Sequence, residues 1–308
     1  MKIRYLMRSL MFVPAHNRRL MDSAMHVQAD VLLFDMEDSV QQIENKQIAR
    51  NNILEYLAEG KFKNRIIFPR VNDRESGQLL KDAYQLTVDG ITGFMYPKAK
   101  RGDDIYFFGK LLETIEYEKG FPIGTFKIIP LVETVGAVIN IQEICSICPN
   151  RIVAVAFGCE DYVADLGGKH DPEGQSIFTA RSVIVMGARA NGIIPIDTVH
   201  IKVHDLDDLQ KNLILAKKLG FEGMLVLNPK ELPLVHQYFS PSETEINWAI
   251  EMLQLADEAK QRGVGVAVKD NKFIGPPMVK MAENILIKNK LLEENWRIYP
   301  PPPPQFIN

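Results

Sequence analysis

Only three of the 308 residues are cysteine. That is too few for a disulfide framework and fits a reducing compartment. Cys145 and Cys148 carry C-x-x-C spacing, but no second pair completes a zinc site. They fall on the apolar face of GAVINIQEICSI, where packing is the expected role. Cys159, beside an acidic pair, is likewise expected as small filler. No run of about 18 apolar residues occurs, which excludes a spanning helix at the level sequence allows. The opening MKIRYLMRSLMFVPAH mixes basic and apolar residues, but Arg8 and Pro14 interrupt any signal-peptide core. A soluble, cytoplasmic protein is therefore expected, with no membrane partner. Basic charge is not in surplus: 36 Lys and Arg stand against 39 Asp and Glu, for a net charge of -3. No basic field is available for nucleic acid, which is not an expected partner. A Gly-rich GxGxxG turn is also missing, which removes support for a dinucleotide-binding open sheet.

What is present is enough apolar residue, 46%, to bury a large core. Short β-rich runs recur at Leu10 to Val13, Val31 to Phe34, Ile66 to Phe68, Ile91 to Tyr96, Ile128 to Val132, Ile152 to Phe157, Ile196 to Val203 and Met224 to Leu227. Between them lie segments of helical period, as in Leu206, Leu209, Leu213 and Ala216. Eight alternating units over roughly 230 residues predict a (β/α)8 TIM barrel rather than an open doubly wound sheet. The expected division is a barrel over 1–239 and a C-terminal helical extension over 240–308.

A barrel places its chemistry at the carboxyl ends of its strands. Here those ends are polar in succession: Asp35-Met36-Glu37-Asp38, Pro69-Arg70-Val71-Asn72, Pro97-Lys98, Glu133, and the pair Glu160 and Asp161. If the runs ending in Glu133 and in Glu160/Asp161 are adjacent parallel strands, about 4.8 Å apart, their carboxylates share one small volume and repel unless a cation sits there. Oxygen-only donors suit Mg²⁺ better than Zn²⁺. Against this stands the plainer account of separate solvated loops, with Asp38-Ser39 simply capping a helix. A Schiff base on Lys98 would be a rival barrel chemistry.

In the extension, Ser240-Pro241-Ser242-Glu243 predicts a helix start with Ser240 as N-cap, and the helix ends near Gly263. VGVAVKDNKFIGPPM reads as two short strands about Asp270-Asn271, followed by a helix over Val279 to Leu292. About 65 residues bury little alone, so this extension is expected to pack on the barrel or on another subunit. The end, YPPPPPQFIN, reads as a polyproline II strut.

RSLMFVPAHN, LLFDMEDSV with Lys46 and Arg50 after it, FPRVN, PKA, PLVETVGAV, FGCEDYVADLGG and IFTARSVIVMGARANGIIPID, taken in order, resemble the citrate lyase β-subunit-like proteins of the HpcH/HpaI aldolase group. These are CoA-ester lyases, malyl-CoA and citramalyl-CoA lyases among them. The resemblance spans essentially the whole chain and implies a barrel with a C-terminal extension in a homotrimer or hexamer. It implies Mg²⁺ held by Glu133 and Asp161, choosing Asp161 over Glu160, and an acyl-holding role for Arg70. Asp35, Glu37 and Asp38 fall on the family's acidic cluster, close to the metal's water shell. Two departures are visible. Relatives that hydrolyse the thioester resemble one another in a GKMIDxP segment, and NKFIGPP places Gly275 where their aspartate stands. Leu227-Asn228-Pro229 replaces the family's IHP.

The implied reaction is retro-Claisen cleavage of a CoA thioester. Arg70 would steady the enolate, and a carboxylate among Asp35, Glu37 and Asp38 would move the proton. The expected substrate is (S)-citramalyl-CoA, with L-malyl-CoA close behind. A citrate lyase β-subunit working inside a complex is the competing reading.

Overall fold

The computed structural model describes residues 5–171, 174–263, 267–269 and 272–298. The chain divides into two compact units, Met7–Gln237 and a second made of Tyr238–Asn308 with Met1–Leu6.

The larger unit alternates strand and helix. β1 (Ser9–Pro14), α1 (Arg18–Ala24), β2 (Val31–Asp35), α2 (Ile43–Ala58), β3 (Ile66–Ile67), α3 (Leu79–Leu86), β4 (Gly93–Tyr96) and α4 (Gly102–Lys119) form its first half. β5 (Lys127–Val132), α5 (Val135–Ile139), α6 (Ile141–Ser146), β6 (Ala154–Phe157), α7 (Cys159–Leu166), α8 (Gln175–Asn191), β7 (Ile194–Asp197), α9 (Leu206–Leu219) and β8 (Gly223–Val226) complete it, followed by α10 (Leu232–Phe239). All eight strands pair in parallel, in the order β3-β2-β1-β8-β7-β6-β5-β4. The ring closes through Arg70, which bridges Asp35 on one side and Met95 on the other. This is a (β/α)8 barrel, as the strand–helix alternation predicts.

The strands are buried on both faces, as a wall with packed interior and outer helices requires. Phe34, Phe68, Phe94, Phe126 and Phe157 are fully enclosed, each contributing about 1.5–3 kcal/mol by leaving water. Gly223 opens β8 where a Cβ would collide with the Met7 carbonyl, so the strand approaches its neighbour only because the side chain is missing.

Strand 7 departs from expectation. β7 is Ile194–Asp197, not Ile196 to Val203. Pro195 sits inside it, and the alternating VHIKV that follows is loop. His200 and Lys202 both turn to Asp208 at the start of α9, at 3.0 and 2.9 Å, so their alternation serves a helix start rather than a sheet.

In the smaller unit, α11 (Glu243–Gln261), the antiparallel strands β9 (Ala267–Lys269) and β10 (Lys272–Ile274), and α12 (Pro276–Ile298) follow the expected order, with α12 extending beyond the expected Val279 to Leu292 at both ends. The cap differs: Ser242, not Ser240, accepts from the Glu245 amide and completes a capping box. Pro241 is thereby left outside the helix. Ala249, Met252, Ile274 and Ala282 form this unit's core, with Trp248, Met278 and Ile285 against it. Asp270, Asn271 and the proline-rich end lie outside the described residues. Among those described, no helix is long and apolar enough to cross a membrane.

Candidate active site

Strand ends bring the predicted residues to one rim. Asp35 closes β2 and spends its carboxylate fully. Oδ1 accepts from the Glu37 amide at 3.0 Å and Oδ2 from the Ser39 amide at 3.0 Å. The Arg70 fork adds Nε and Nη2 bonds of 2.7 Å each. Burial alone would raise its pKa, but the Arg70 guanidinium and these amides hold it below the usual range. Arg70 is 7% exposed, lies 4.8 Å over the Phe12 ring, and reaches Asp38 at 3.0 Å with its remaining nitrogen. Asp38 is itself exposed.

Glu37 is placed differently. It is 5% exposed, with Lys98 Nζ at 2.7 Å and Arg70 Nη1 at 3.1 Å, yet neither carboxylate oxygen meets a donor in hydrogen-bonding alignment. Burial pushes its pKa up to about 7, outweighing the two cations. A buried carboxylate left incompletely bonded is costly unless another group completes it.

Glu133 follows β5 and is 2% exposed. Its Oε1 accepts from the Lys98 amide at 2.6 Å, while Oε2 lies against Gly158, the residue between β6 and α7. Burial first, then the neighbouring Glu37 carboxylate, push Glu133 up to about 8, with Asp161 adding to the rise. Glu133 and Asp161 line one cavity of about 560 Å³, together with Lys98, Thr134, Asp165, Tyr96 and Arg74. The donor set therefore fits a hard divalent cation: oxygen ligands from two strand ends, one buried carboxylate whose charge is uncompensated, and room for water or substrate. Glu160 lines no part of this cavity and pairs with His170 instead, at 2.8 Å.

Lys98 carries more than the sequence suggested. Its φ of 53° is left-handed, uncommon for a residue with a side chain. That turn aims its amide at Glu133 and its ammonium at Glu37. The Pro-Lys after a strand is the signal that marks it. Behind the rim, Lys46 donates to the Met36 carbonyl at 3.1 Å and to Asn72, and Arg50 pairs with Asp82 at 2.5 Å. Asp82 in turn accepts from the Asn72 amide at 2.8 Å. This buried chain pins the loops that carry Glu37 and Arg70. Cys145 is packed among apolar groups and Cys148 is half-buried; burial raises both thiols. Cys159 is buried, its thiol pushed up to about 12.

A parallel barrel with carboxylates, an arginine and a lysine gathered at its carboxyl rim has the build of a (β/α)8-barrel enzyme. The HpcH/HpaI aldolase/citrate lyase family matches residues 8–229, and the chain belongs to it. Over 281 residues it is 31% identical to the citrate lyase subunit beta of Leuconostoc mesenteroides subsp. cremoris, covering 91% of this chain and 92% of that protein. Over 289 residues it is 28% identical to the mitochondrial citramalyl-CoA lyase of Rattus norvegicus, covering 91% and 85%. The fold superposes with a TM-score of 0.69 on CitE of Mycobacterium tuberculosis, crystallised with magnesium, acetoacetate and coenzyme A. That pair is 25% identical, over 92% of this chain and 97% of the other.

Proposed function

We propose that this protein is a Mg²⁺-dependent carbon–carbon lyase that cleaves (S)-citramalyl-CoA to acetyl-CoA and pyruvate. The observation that carries the reading is the meeting of Glu133 and Asp161 on one cavity, with Glu37, Lys98 and Arg70 gathered at the same rim. Kinship with a citramalyl-CoA lyase and with a CitE crystallised with magnesium and coenzyme A supports the substrate class and the metal.

Glu133 and Asp161 would hold the ion. When bound, it supplies Lewis acidity toward a hydroxyl or keto oxygen and an adjacent carboxylate. The chain's own residues do the rest. Arg70, fixed over Phe12 and by Asp35, presents positive charge that does not reorient as the thioester enolate develops. Glu37 is the best placed of the three acidic residues for proton transfer: Asp35 is saturated, Asp38 is exposed, and Glu37 is buried with a pKa raised to about 7. It takes the hydroxyl proton as the carbon–carbon bond breaks and gives a proton back to the methylene carbon of the enolate, which completes acetyl-CoA, while Lys98 steadies the carboxylate between the two transfers.

Cleavage is favoured over thioester hydrolysis by Gly275, where hydrolytic relatives are expected to carry aspartate. Gly275 accepts from the Met278 and Val279 amides at 3.0 and 3.3 Å, so it is the N-cap of α12. Aspartate is at home in that position, and its absence is not forced by the helix. A second reading keeps the same chemistry on a citryl thioester, favoured by the likeness to citrate lyase subunit beta.

The test is a comparison of kcat/KM on citramalyl-CoA, malyl-CoA and citryl-CoA with the purified protein alone, each reaction followed for acetyl-CoA and for free thiol. Citramalyl-CoA is expected to lead and thiol release to be negligible. Preference for another ester would replace the substrate, and thiol release matching turnover would replace lyase by hydrolase.

A further inference from the structure

The first turn of α7 divides its donors between two cavities. Asp161 faces the cavity it shares with Glu133, whereas Cys159 borders a separate one of about 240 Å³, lined by His170, Ile177 and Arg181, the Thr198 end of β7, and Leu213 of α9. On this second side three different donor atoms meet. One ligand atom from each of Cys159, Glu160 and His170 lies within 4.8 Å of the other two. Nε2 of His170 is 2.8 Å from Oε1 of Glu160, and Sγ of Cys159 is 3.7 Å from that same oxygen.

Packing accounts for Cys159 alone, since a small thiol fills a core well. It does not account for His170, whose ring comes from the loop after α7 to the same Glu160 oxygen that faces the Cys159 sulfur. We propose that Cys159, Glu160 and His170 form a second cation site, separate from the Glu133 and Asp161 pair, that takes a thiophilic divalent ion of the Zn²⁺ kind. The donor chemistry separates the two sites. Sulfur with nitrogen selects Zn²⁺ and its neighbours, while an all-oxygen set suits Mg²⁺.

Three protein ligands leave a fourth tetrahedral position, and the adjoining cavity gives water access to it. Cys159 is 2% exposed, whereas the His170 and Glu160 side chains are 29% and 59% exposed, so the ion would meet those two donors first and the sulfur last. The turn is braced from behind: the Thr198 hydroxyl accepts from the Cys159 amide at 3.1 Å, which fixes the direction of the thiol. Forming the sulfur–metal bond releases the thiol proton to solvent, with no change in oxidation state. Because Cys159 and Glu160 directly precede Asp161, an ion held here also rigidifies the turn that presents Asp161.

The experiment titrates the full-length, Mg²⁺-saturated protein with Co²⁺, a spectroscopic stand-in for Zn²⁺. Expected is one Co²⁺ per chain with a near-ultraviolet thiolate-to-cobalt charge-transfer band that Zn²⁺ abolishes by displacement. Cys159→Ser, which keeps nearly the same volume, removes the band. His170→Ala, on a loop, weakens binding by roughly tenfold or more. Cys145→Ser and Cys148→Ser leave the band unchanged, which assigns the sulfur. Glu133→Gln leaves it unchanged too, which separates this site from the magnesium pair whether or not that pair proves to bind magnesium. The proposal is overturned if no band develops, or if the band survives Cys159→Ser, or if His170→Ala binds as tightly as wild type.

Discussion

The backbone amide of Lys98 donates to Oε1 of Glu133 at 2.6 Å, while the ammonium of the same residue sits 2.7 Å from Glu37. One left-handed residue thus holds the buried carboxylate proposed to bind the metal and the carboxylate proposed for proton transfer. The two connections are separable. Lys98→Gly keeps the amide and accepts the backbone shape without strain, but deletes the charge. It is expected to retain Mg²⁺ affinity and lose about 10²-fold in kcat. Calorimetric Mg²⁺ titration beside steady-state kinetics reads both, and a loss of affinity equal to the loss of kcat would make Lys98 a structural prop only.

Gly158 guards the other side of Glu133. A Cβ there would stand 2.8 Å from the Glu133 Cβ and 2.9 Å from its Oε2, contacts that real side chains do not sustain. Its φ of -105° is ordinary, so Gly158→Ala acts through Glu133 rather than through the backbone. Displacing the carboxylate is expected to weaken Mg²⁺ binding roughly tenfold or more, with a stability loss of about 1–3 kcal/mol from overpacking. Unchanged Mg²⁺ affinity would show that Glu133 does not hold the ion from this position.

Glu37 and Glu133 carry raised folded-state pKa values, about 7 and about 8, against 4.5 for a free glutamate. The folded protein therefore binds more protons than the unfolded chain between those values. The contribution of these two groups to stability in chelator is fully present below about 4.5 and is lost as pH rises through 7 and 8. A cation competes with these protons, so the increase in Tm on adding Mg²⁺ should grow over the same window. Thermal melts from pH 5 to 8.5, with EDTA or Mg²⁺, check the sign. A metal-independent Tm that rises toward pH 8 would mean these carboxylates are ionised and relieved by something else.

Much of the fold was legible because the barrel repeats one simple signal eight times: a short apolar run, then helical spacing. The strand-7 boundary was not, because Val199 to Val203 alternates like a strand while His200 and Lys202 are bound to Asp208. The start of α11 differs for a local reason: two serines flank Pro241 and each has a glutamate three residues on, Glu243 after Ser240 and Glu245 after Ser242, so the pattern fits both and the capping box forms at the second. At the rim, the polar strand ends announced a site, and adjacency of β5 and β6 explains why Glu133 and Asp161 meet. What spacing could not separate was Glu160 from Asp161. They are sequence neighbours at a helix start, and the helical turn sends them to different surroundings. The double service of Lys98 depends on a single backbone angle, and the room left by Gly158 on a contact between strand ends. Neither has a pattern in the linear chain.

Arg70 closes the barrel through its backbone while its side chain reaches the rim, so replacing the side chain tests the second role alone. Arg70→Lys keeps the charge but forfeits the fork that engages both oxygens of Asp35. It is expected to lower kcat by roughly 10²-fold with a smaller effect on KM, as for loss of a group that serves the transition state. Steady-state kinetics separates the alternatives: wild-type kcat with a raised KM would make Arg70 a substrate-binding residue only.

The central claim is metal-dependent cleavage by the Glu133 and Asp161 pair, and its most direct measurement is the yield of pyruvate and acetyl-CoA from (S)-citramalyl-CoA by the purified protein. Wild type is assayed in Mg²⁺, in EDTA and after Mg²⁺ is restored, with Glu133→Gln and Asp161→Asn beside it. The account predicts both products in equal amounts with Mg²⁺, none in EDTA, full recovery on restoration, and little activity from either variant. Cleavage that persists in EDTA, or a fully active Glu133→Gln, would contradict it.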